Sequence, residues 1–243
     1  MTETVCVVPA RMSSSRFPGK PLVDIDGLPM VVRSARRALE AGCFQRVVVA
    51  SEDVAIVEVA KTHGLESLLT PVFATGTDRV AWASRELKAD WVVNLQGDEP
   101  VFPIELLRDL TELLPSDPDA LWTAADLGLT PEEMADEDVV KILVEGRPIP
   151  GDVREALDFL RCFEAGSTRI LTSGVHVGVY AGSTSSLERF ASLPQSLREQ
   201  ERRIEPLRAI DAGIRVKALV GKWNRVAVDR LEHISRVLDL LNT

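Results

Sequence analysis

Residues 7–22 read VVPARMSSSRFPGKPL, an apolar run that gives way to three serines and the cations Arg11, Arg16 and Lys20, with no acid among them. A polyphosphate requires backbone N–H donors and fixed positive charge. Ser13, Ser14 and Ser15 are small enough for the backbone to approach such a ligand, and the three cations supply the charge. Neither GxxxxGK[ST] nor GxGxxG is present, so side-chain cations would replace the helix N-terminus of a P-loop. A solvated surface loop is the competing reading. The stretch QGDEP, residues 96–100, follows another apolar run. A carboxylate at the end of a buried strand is the usual way to present a hard cation such as Mg²⁺ to substrate phosphates, with Asp98 as ligand and Glu99 behind it. Asp229, in RVAVDRLEHI, again separates an apolar run from a helical pattern. Both aspartates could instead cap the helices that follow, and for Asp229 capping and metal binding are compatible. No Ser–His–Asp set or activated cysteine is apparent.

The elements that must position these residues alternate. TVCVVPA, RVVVAS, ESLLTP and DWVVNLQ read as strands; MVVRSARRALEA, EDVAIVEVAKTH, GTDRVAWASRELKA and PIELLRDLTELL read as helices. Val32, Ala35, Ala38 and Leu39 fall on one face of the first helix, Gly42 and Gly64 are stop signals, and Thr77 or Asp78 is the expected cap of the third. This rhythm predicts an α/β, doubly wound and mainly parallel sheet, in which ligands bind beyond the carboxyl ends of the strands. The turns at 9–20, 51–53 and 96–100 should therefore meet at one rim. After about Leu121 the rhythm changes: VVKILVEG, HVGVYAG and IRVKALVG read as strands, with DVREALDFLRCFEAG, SLREQERRIEPLRAIDAG and the final RLEHISRVLDLL as helices. The expectation is one domain over 1–243 with a smaller subdomain at about 139–210.

Composition excludes some classes. The chain has 243 residues and a formal net charge of -9, which argues against a general nucleic-acid binder. No apolar run approaches the roughly 20 residues of a membrane span. Cys6, Cys43 and Cys162 have no paired spacing, and no signal peptide is read at the N-terminus, so a cytoplasmic protein is expected. Arginine contributes 22 of the 28 basic residues, as a GC-rich genome would favour.

Together these segments resemble the 3-deoxy-manno-octulosonate (KDO) cytidylyltransferases, or CMP-KDO synthetases. VVPARMSSSRFPGKPL is similar to their V-I-P-A-R-x-x-S-x-R-x-P-G-K-P-L, and VVNLQGDEPVF to N-V-Q-G-D-E-P-x-I. ATGTDRVAWA, DVVKILV, HVGVYAG and VAVDRLEHI resemble further family segments, in order along nearly the whole chain. The resemblance implies a nucleotidyltransferase that joins CTP to a small anionic acceptor and releases pyrophosphate, with Mg²⁺ and as a homodimer pairing through residues 139–182. It implies that Arg11, Ser14 and Lys20 hold the triphosphate, and that Ala10 and Arg11 meet the cytosine by backbone. Gln96 would touch acceptor or nucleotide, Asp98 and Asp229 would hold Mg²⁺, and Arg16 and Arg79 would line the site.

The acceptor half departs from the pattern. The family's A-L-Y-F-S-R is nearest to ALDFLR, with Asp158 for tyrosine and Leu160 for serine; L-E-Q-L-R has become IEPLR, with Pro206 for glutamine; and Arg230 follows Asp229. The candidate acceptor contacts are Arg161, His176, Tyr180, Glu205 and Arg208, of which His176 and Tyr180 could equally be core and Arg208 part of a solvated face. Lost polyol contacts beside Arg161, Arg208 and Arg230 suggest a compact charged acceptor, a phosphonate such as phosphonoformate. The alternative is KDO or a related sugar acid. A catalytically inactive nucleotide-binding regulator is the third reading, against which the joint presence of Lys20, Asp98 and Asp229 speaks.

Overall fold

The computed structural model describes residues 2–13, 17–163, 172–228 and 230–241. In chain order the elements begin with β1 (Thr4–Pro9), β2 (Asp24–Ile25), β3 (Leu28–Pro29), α1 (Met30–Ala41), β4 (Arg46–Ser51) and α2 (Val54–Thr62). They continue with β5 (Glu66–Leu69), α3 (Gly76–Leu87), β6 (Trp91–Leu95), α4 (Ile104–Leu113), β7 (Leu121–Asp126) and α5 (Pro131–Ala135). The remainder are β8 (Lys141–Val144), β9 (Val153–Leu160), β10 (Ser173–Ser183), α6 (Thr184–Ala191), α7 (Leu197–Arg202), α8 (Leu207–Asp211), β11 (Val216–Gly221) and α9 (His233–Leu241). They form two compact units, Met1–Leu113 with Asn224–Thr243, and Leu114–Trp223.

In the first unit the strand order is β5-β4-β1-β6, all parallel. β1, β4 and β6 are short apolar runs whose interiors are buried on both faces, as parallel strands covered by helices must be. The chain leaves β1 toward β4 and β5, and α3 then carries it back to β6 on the other side of β1. The direction of winding thus reverses between β1 and β6, and the crevice beyond their carboxyl ends is where such sheets bind ligands. The C-terminal segment returns to the same unit: Val228, ahead of α9, and Val237 within it pack in one cluster with Ile25 and Met30.

The second unit has the order β10-β7-β11-β9-β8 with a further β10–β8 pairing. Only β7 and β11 run parallel; the other pairings are antiparallel. Residues 139–210 fall within its bounds.

Four local expectations are corrected. Residues 153–160 form strand β9 rather than a helix, because the segment hydrogen-bonds to β8 on one edge and β11 on the other, and that pairing overrides the helical propensity of its Glu, Ala and Leu residues. The stretch 197–211 is two short helices, interrupted where Arg203 adopts a left-handed conformation and Pro206 follows. Thr75, not Thr77 or Asp78, caps α3, and its side chain accepts the Asp78 N–H. Leu39 is 52% exposed, since the buried face of α1 centres on Val31, Ser34, Ala35 and Ala38 and leaves Leu39 at its edge.

Asp117 ties the start of the second unit to β11. Its carboxylate accepts from Arg215 Nη2 at 2.9 Å and Lys217 Nζ at 2.8 Å, and its carbonyl accepts the Trp122 indole N–H. The Lys217 hydrogen bond, reinforced by the charges of Lys217 and Arg215, holds the Asp117 carboxyl below the usual carboxylate range. A depressed folded-state value contributes stability above the unfolded value near 4 and loses it as pH falls through the folded value. Asp117→Asn should therefore cost about 1 kcal/mol at pH 7, and the gap to the wild type should close below pH ~4. Denaturant unfolding of both proteins between pH 3 and 7 measures this.

Candidate nucleotide site

The three polar turns of the first unit meet at the rim beyond β1 and β6. Ala10 N–H continues the sheet by donating to the Ala50 carbonyl at 3.0 Å, so any contact from Ala10 backbone to a base runs through its carbonyl. Met12 N–H donates to Asp53 Oδ2 at 2.7 Å, joining the first turn to the second. Lys20 Nζ donates to Asp98 Oδ2 at 2.6 Å, joining the first to the third. Gly97 explains why a glycine stands in QGDEP: a Cβ there would lie 2.9 Å from the Pro9 carbonyl oxygen, closer than any side chain tolerates. The ends of β1 and β6 therefore touch through backbone alone. Ser34 Oγ from α1 donates to the Gly97 carbonyl at 3.1 Å and holds the turn from below.

Lys20 sits in a single 3-10 turn entered through Gly19, whose φ of 75° is left-handed backbone that glycine adopts without strain. That turn delivers the ammonium to Asp98. Asp98 lies six positions before α4 and does not cap it; its carboxylate is committed to Lys20. Its carbonyl accepts the Val228 N–H at 2.9 Å, so the chain position next to Asp229 is bonded to Asp98. Glu99 is buried. Ser14, Arg16 and Asp229 lie outside the described residues.

Arg79 is 2% exposed and forms an ion pair with Glu52, with Nε donating to Thr70 Oγ1 at 3.2 Å. Burial, and then the neighbouring Arg11 cation, draw Arg79 down to about 10; it stays charged at neutral pH, with Glu52 as its counter-ion. Arg11 itself is exposed, with one guanidinium N–H 3.5 Å from the Ala74 carbonyl. Gln96 donates to Asn94 Oδ1, and Asn94 to Thr77 Oγ1, so β6 and α3 orient the glutamine together. Glu52 and Asp53 carry contacts that the sequence reading did not assign. The signal was their position, in the turn after β4 that should share the rim.

The acceptor candidates belong to the second unit. His176 Nε2 lies 2.9 Å from Thr123 Oγ1. Thr123 spends its own hydroxyl hydrogen on the Val179 carbonyl, so the histidine is the donor. The ring stacks on Tyr180 and meets Phe159 edge-on, which places His176 and Tyr180 in a half-buried aromatic row. Arg161 donates to the carbonyls of Glu137, Asp138, Arg202 and Arg203. Arg208 is 3% exposed, not on a solvated face: it pairs with Glu199 through two nitrogens and lies over the Phe190 ring. Glu205 lies in the turn between α7 and α8. Asp158, which stands for the family tyrosine, accepts from Arg198 and Arg202 of α7 at 3.1 and 3.0 Å. All three thiols, Cys6, Cys43 and Cys162, are pushed above their ordinary value by burial first, the reverse of what an activated nucleophile needs.

The profile of a family described as cytidylyltransferase matches residues 5–216. The chain belongs to this cytidylyltransferase family. It is 38% identical over 247 residues to a 3-deoxy-manno-octulosonate cytidylyltransferase of Mesorhizobium japonicum, covering 98% of this chain and 99% of the relative. It is 33% identical over 248 residues to an enzyme of the same name from Chloroherpeton thalassium, covering 98% of each. Among solved structures it superposes on a CMP:2-keto-3-deoxy-manno-octonic acid synthetase complexed with CTP, with a TM-score of 0.87, 30% identity and 99% of each chain covered. A UDP-glucose pyrophosphorylase complexed with UDP-glucose, at a TM-score of 0.68 and 13% identity over 100% of this chain and 99% of that one, shows the shared α/β fold. The chain is thus a CTP-dependent cytidylyltransferase with a nucleotidyltransferase fold. No helix among the described residues is long and apolar enough to cross a membrane.

The contact at the rim is testable. Gly97→Ala must push Pro9 or the 96–98 turn aside, at about 1–3 kcal/mol for overpacking. Thermal unfolding should show a lower midpoint, and CTP turnover at a temperature where the variant stays folded should fall at least ~10-fold.

Proposed function

We propose that this cytidylyltransferase transfers CMP from CTP to KDO, releasing pyrophosphate. The observation that carries the reading is identity of 33–38% to KDO cytidylyltransferases along nearly the full length of both chains. The phosphonate expectation rested on lost polyol contacts at Asp158, Leu160 and Pro206 beside Arg161, Arg208 and Arg230, and it is set aside. Arg161 is occupied by four carbonyls and Arg208 by Glu199, while Asp158 adds a negative charge that Arg198 and Arg202 offset. Those arginines build the fold of the second unit before any acceptor arrives.

Lys20 and Asp98 are assigned the triphosphate end of the reaction. In the free protein they neutralise each other. When a triphosphate arrives, the Lys20 ammonium can turn to its oxygens as a point charge and release the carboxylate. Asp98 also fits a divalent cation. It presents hard oxygen donors at a strand end, and the chain returns to its carbonyl one residue before a second aspartate, Asp229. Mg²⁺ is commonly held by one or two carboxylates plus substrate phosphates, so the absence of a cluster of three or more His, Cys, Asp or Glu among the described residues is compatible with it. When bound there by Asp98 and Asp229, the ion would neutralise phosphate charge. A homodimer through residues 139–182 is proposed as well: Ile149, Val153 and Leu157 in that segment are exposed apolar side chains, and sedimentation at micromolar concentration should show a dimer.

Pyrophosphate release is measured with CTP, Mg²⁺ and one acceptor at a time. KDO should exceed phosphonoformate at least ~10-fold in kcat/KM, about 1.4 kcal/mol of transition-state binding. Faster turnover of phosphonoformate than of KDO would reject the reading. In the same assay Asp98→Asn should lower kcat at least ~100-fold while metal-free CTP binding persists.

A further inference from the structure

Asp53 occupies the N-cap position of α2, yet its side chain makes no capping hydrogen bond. An aspartate there ordinarily accepts the backbone N–H two or three residues on. In this chain the carboxylate is diverted across the rim: Oδ2 accepts the N–H of Met12, 41 positions earlier, at 2.7 Å. The diversion is itself held in place, because the fully buried Ser51 accepts the Asp53 N–H on its Oγ at 3.0 Å. The other backbone group of Met12 is fixed too. Its carbonyl accepts the Gly19 N–H at 3.1 Å, which closes the loop just before Lys20. Met12 is therefore the peptide through which the cationic loop is attached to the sheet on one side and to its own far end on the other. A hydrogen bond to a carboxylate is about twice as strong as one between neutral groups. The helix forgoes its cap so that this strong bond falls on the loop.

We propose that Asp53 is a positioning residue for CTP, holding the Met12 peptide so that Ala10, Arg11 and the turn at Gly19 and Lys20 stay where they receive the nucleotide. The proposal rests on the reading of residues 10–20 as the CTP loop. Asp53 touches no substrate in it and acts only through Met12. CTP affinity depends on the Asp53 carboxylate, and acceptor affinity does not.

The decisive variant is Asp53→Ser. A serine hydroxyl can cap α2 in the ordinary way but is too short to reach the Met12 N–H, so the helix keeps or gains stability while the loop loses its anchor. The expected result is a thermal midpoint no lower than that of the wild type, a KM for CTP raised at least ~10-fold, a matching loss of CTP affinity by calorimetry, and a KM for KDO within about twofold. Asp53→Asn keeps an acceptor oxygen without the charge and should fall between the two. An unchanged KM for CTP in Asp53→Ser would overturn the proposal. So would a lowered thermal midpoint with KM for both substrates rising together, which would make Asp53 a structural residue. If the wild type binds CTP but Lys20→Ala does not weaken that binding, the loop assignment fails, independently of Asp53.

Discussion

The first unit depends on one close approach. β1 and β6 run parallel on either side of the point where the chain reverses its winding, and beyond their ends Gly97 lies directly against the Pro9 carbonyl. With no side chain between them, the two turns that follow share one small space. Lys20 and Asp98, 78 residues apart in sequence, can then form a 2.6 Å ion pair, and Ser34 reaches the same turn from α1. A side chain at position 97 would separate the strand ends and, with them, Lys20 and Asp98.

Two of the cations at that rim are balanced by acids. Asp98 answers Lys20, Glu52 answers Arg79, and Asp53 meets a backbone N–H of the loop that carries Arg11. Each acid comes from the carboxyl end of a parallel strand, where the fold exposes short turns. A net charge of -9 is therefore no obstacle to receiving a triphosphate: what matters is that local cations stand within reach. The groups gathered at the rim supply positioning and charge neutralisation, which is what phosphoryl and nucleotidyl transfer require.

The second unit uses its arginines differently. Arg208 and Glu199 are both 3% exposed and satisfy each other, an arrangement in which loss of one partner leaves a costly buried charge. Arg161 collects carbonyls from the 137–138 turn and from the end of α7, and the buried Lys141 donates to the carbonyls of Asp136 and Arg161. Burial draws Lys141 below its ordinary value, opposed by nearby acids. Arg161 and Lys141 fasten irregular segments through their carbonyls, and Arg208 fastens α8 to α7. Counted along the sequence they look like a surplus awaiting an anionic ligand; in three dimensions they are engaged with the protein itself.

The sequence by itself determined the parallel half and its rim. Short β-branched runs followed by amphipathic stretches define β1, β4 and β6 and their helices, and a polar turn after each of these strands must lie at the carboxyl edge, so the turns that carry Lys20 and Asp98 were legible as sharing one rim. The antiparallel half was less legible. ALDFL has the composition of a helix and becomes strand β9 because β8 and β11 offer hydrogen bonds on both edges. β7 is buried along its whole length and shows no alternation that would mark it as a strand. The destination of each charged side chain was decided only by tertiary structure. Asp53 has no assigned contact until Met12 is brought beside it, and Arg161 and Arg208 look like ligand-binding cations until their carbonyl and carboxylate partners arrive from other segments. A local pattern records which face of an element is apolar, while the partner of a polar group depends on which other segment folds against it.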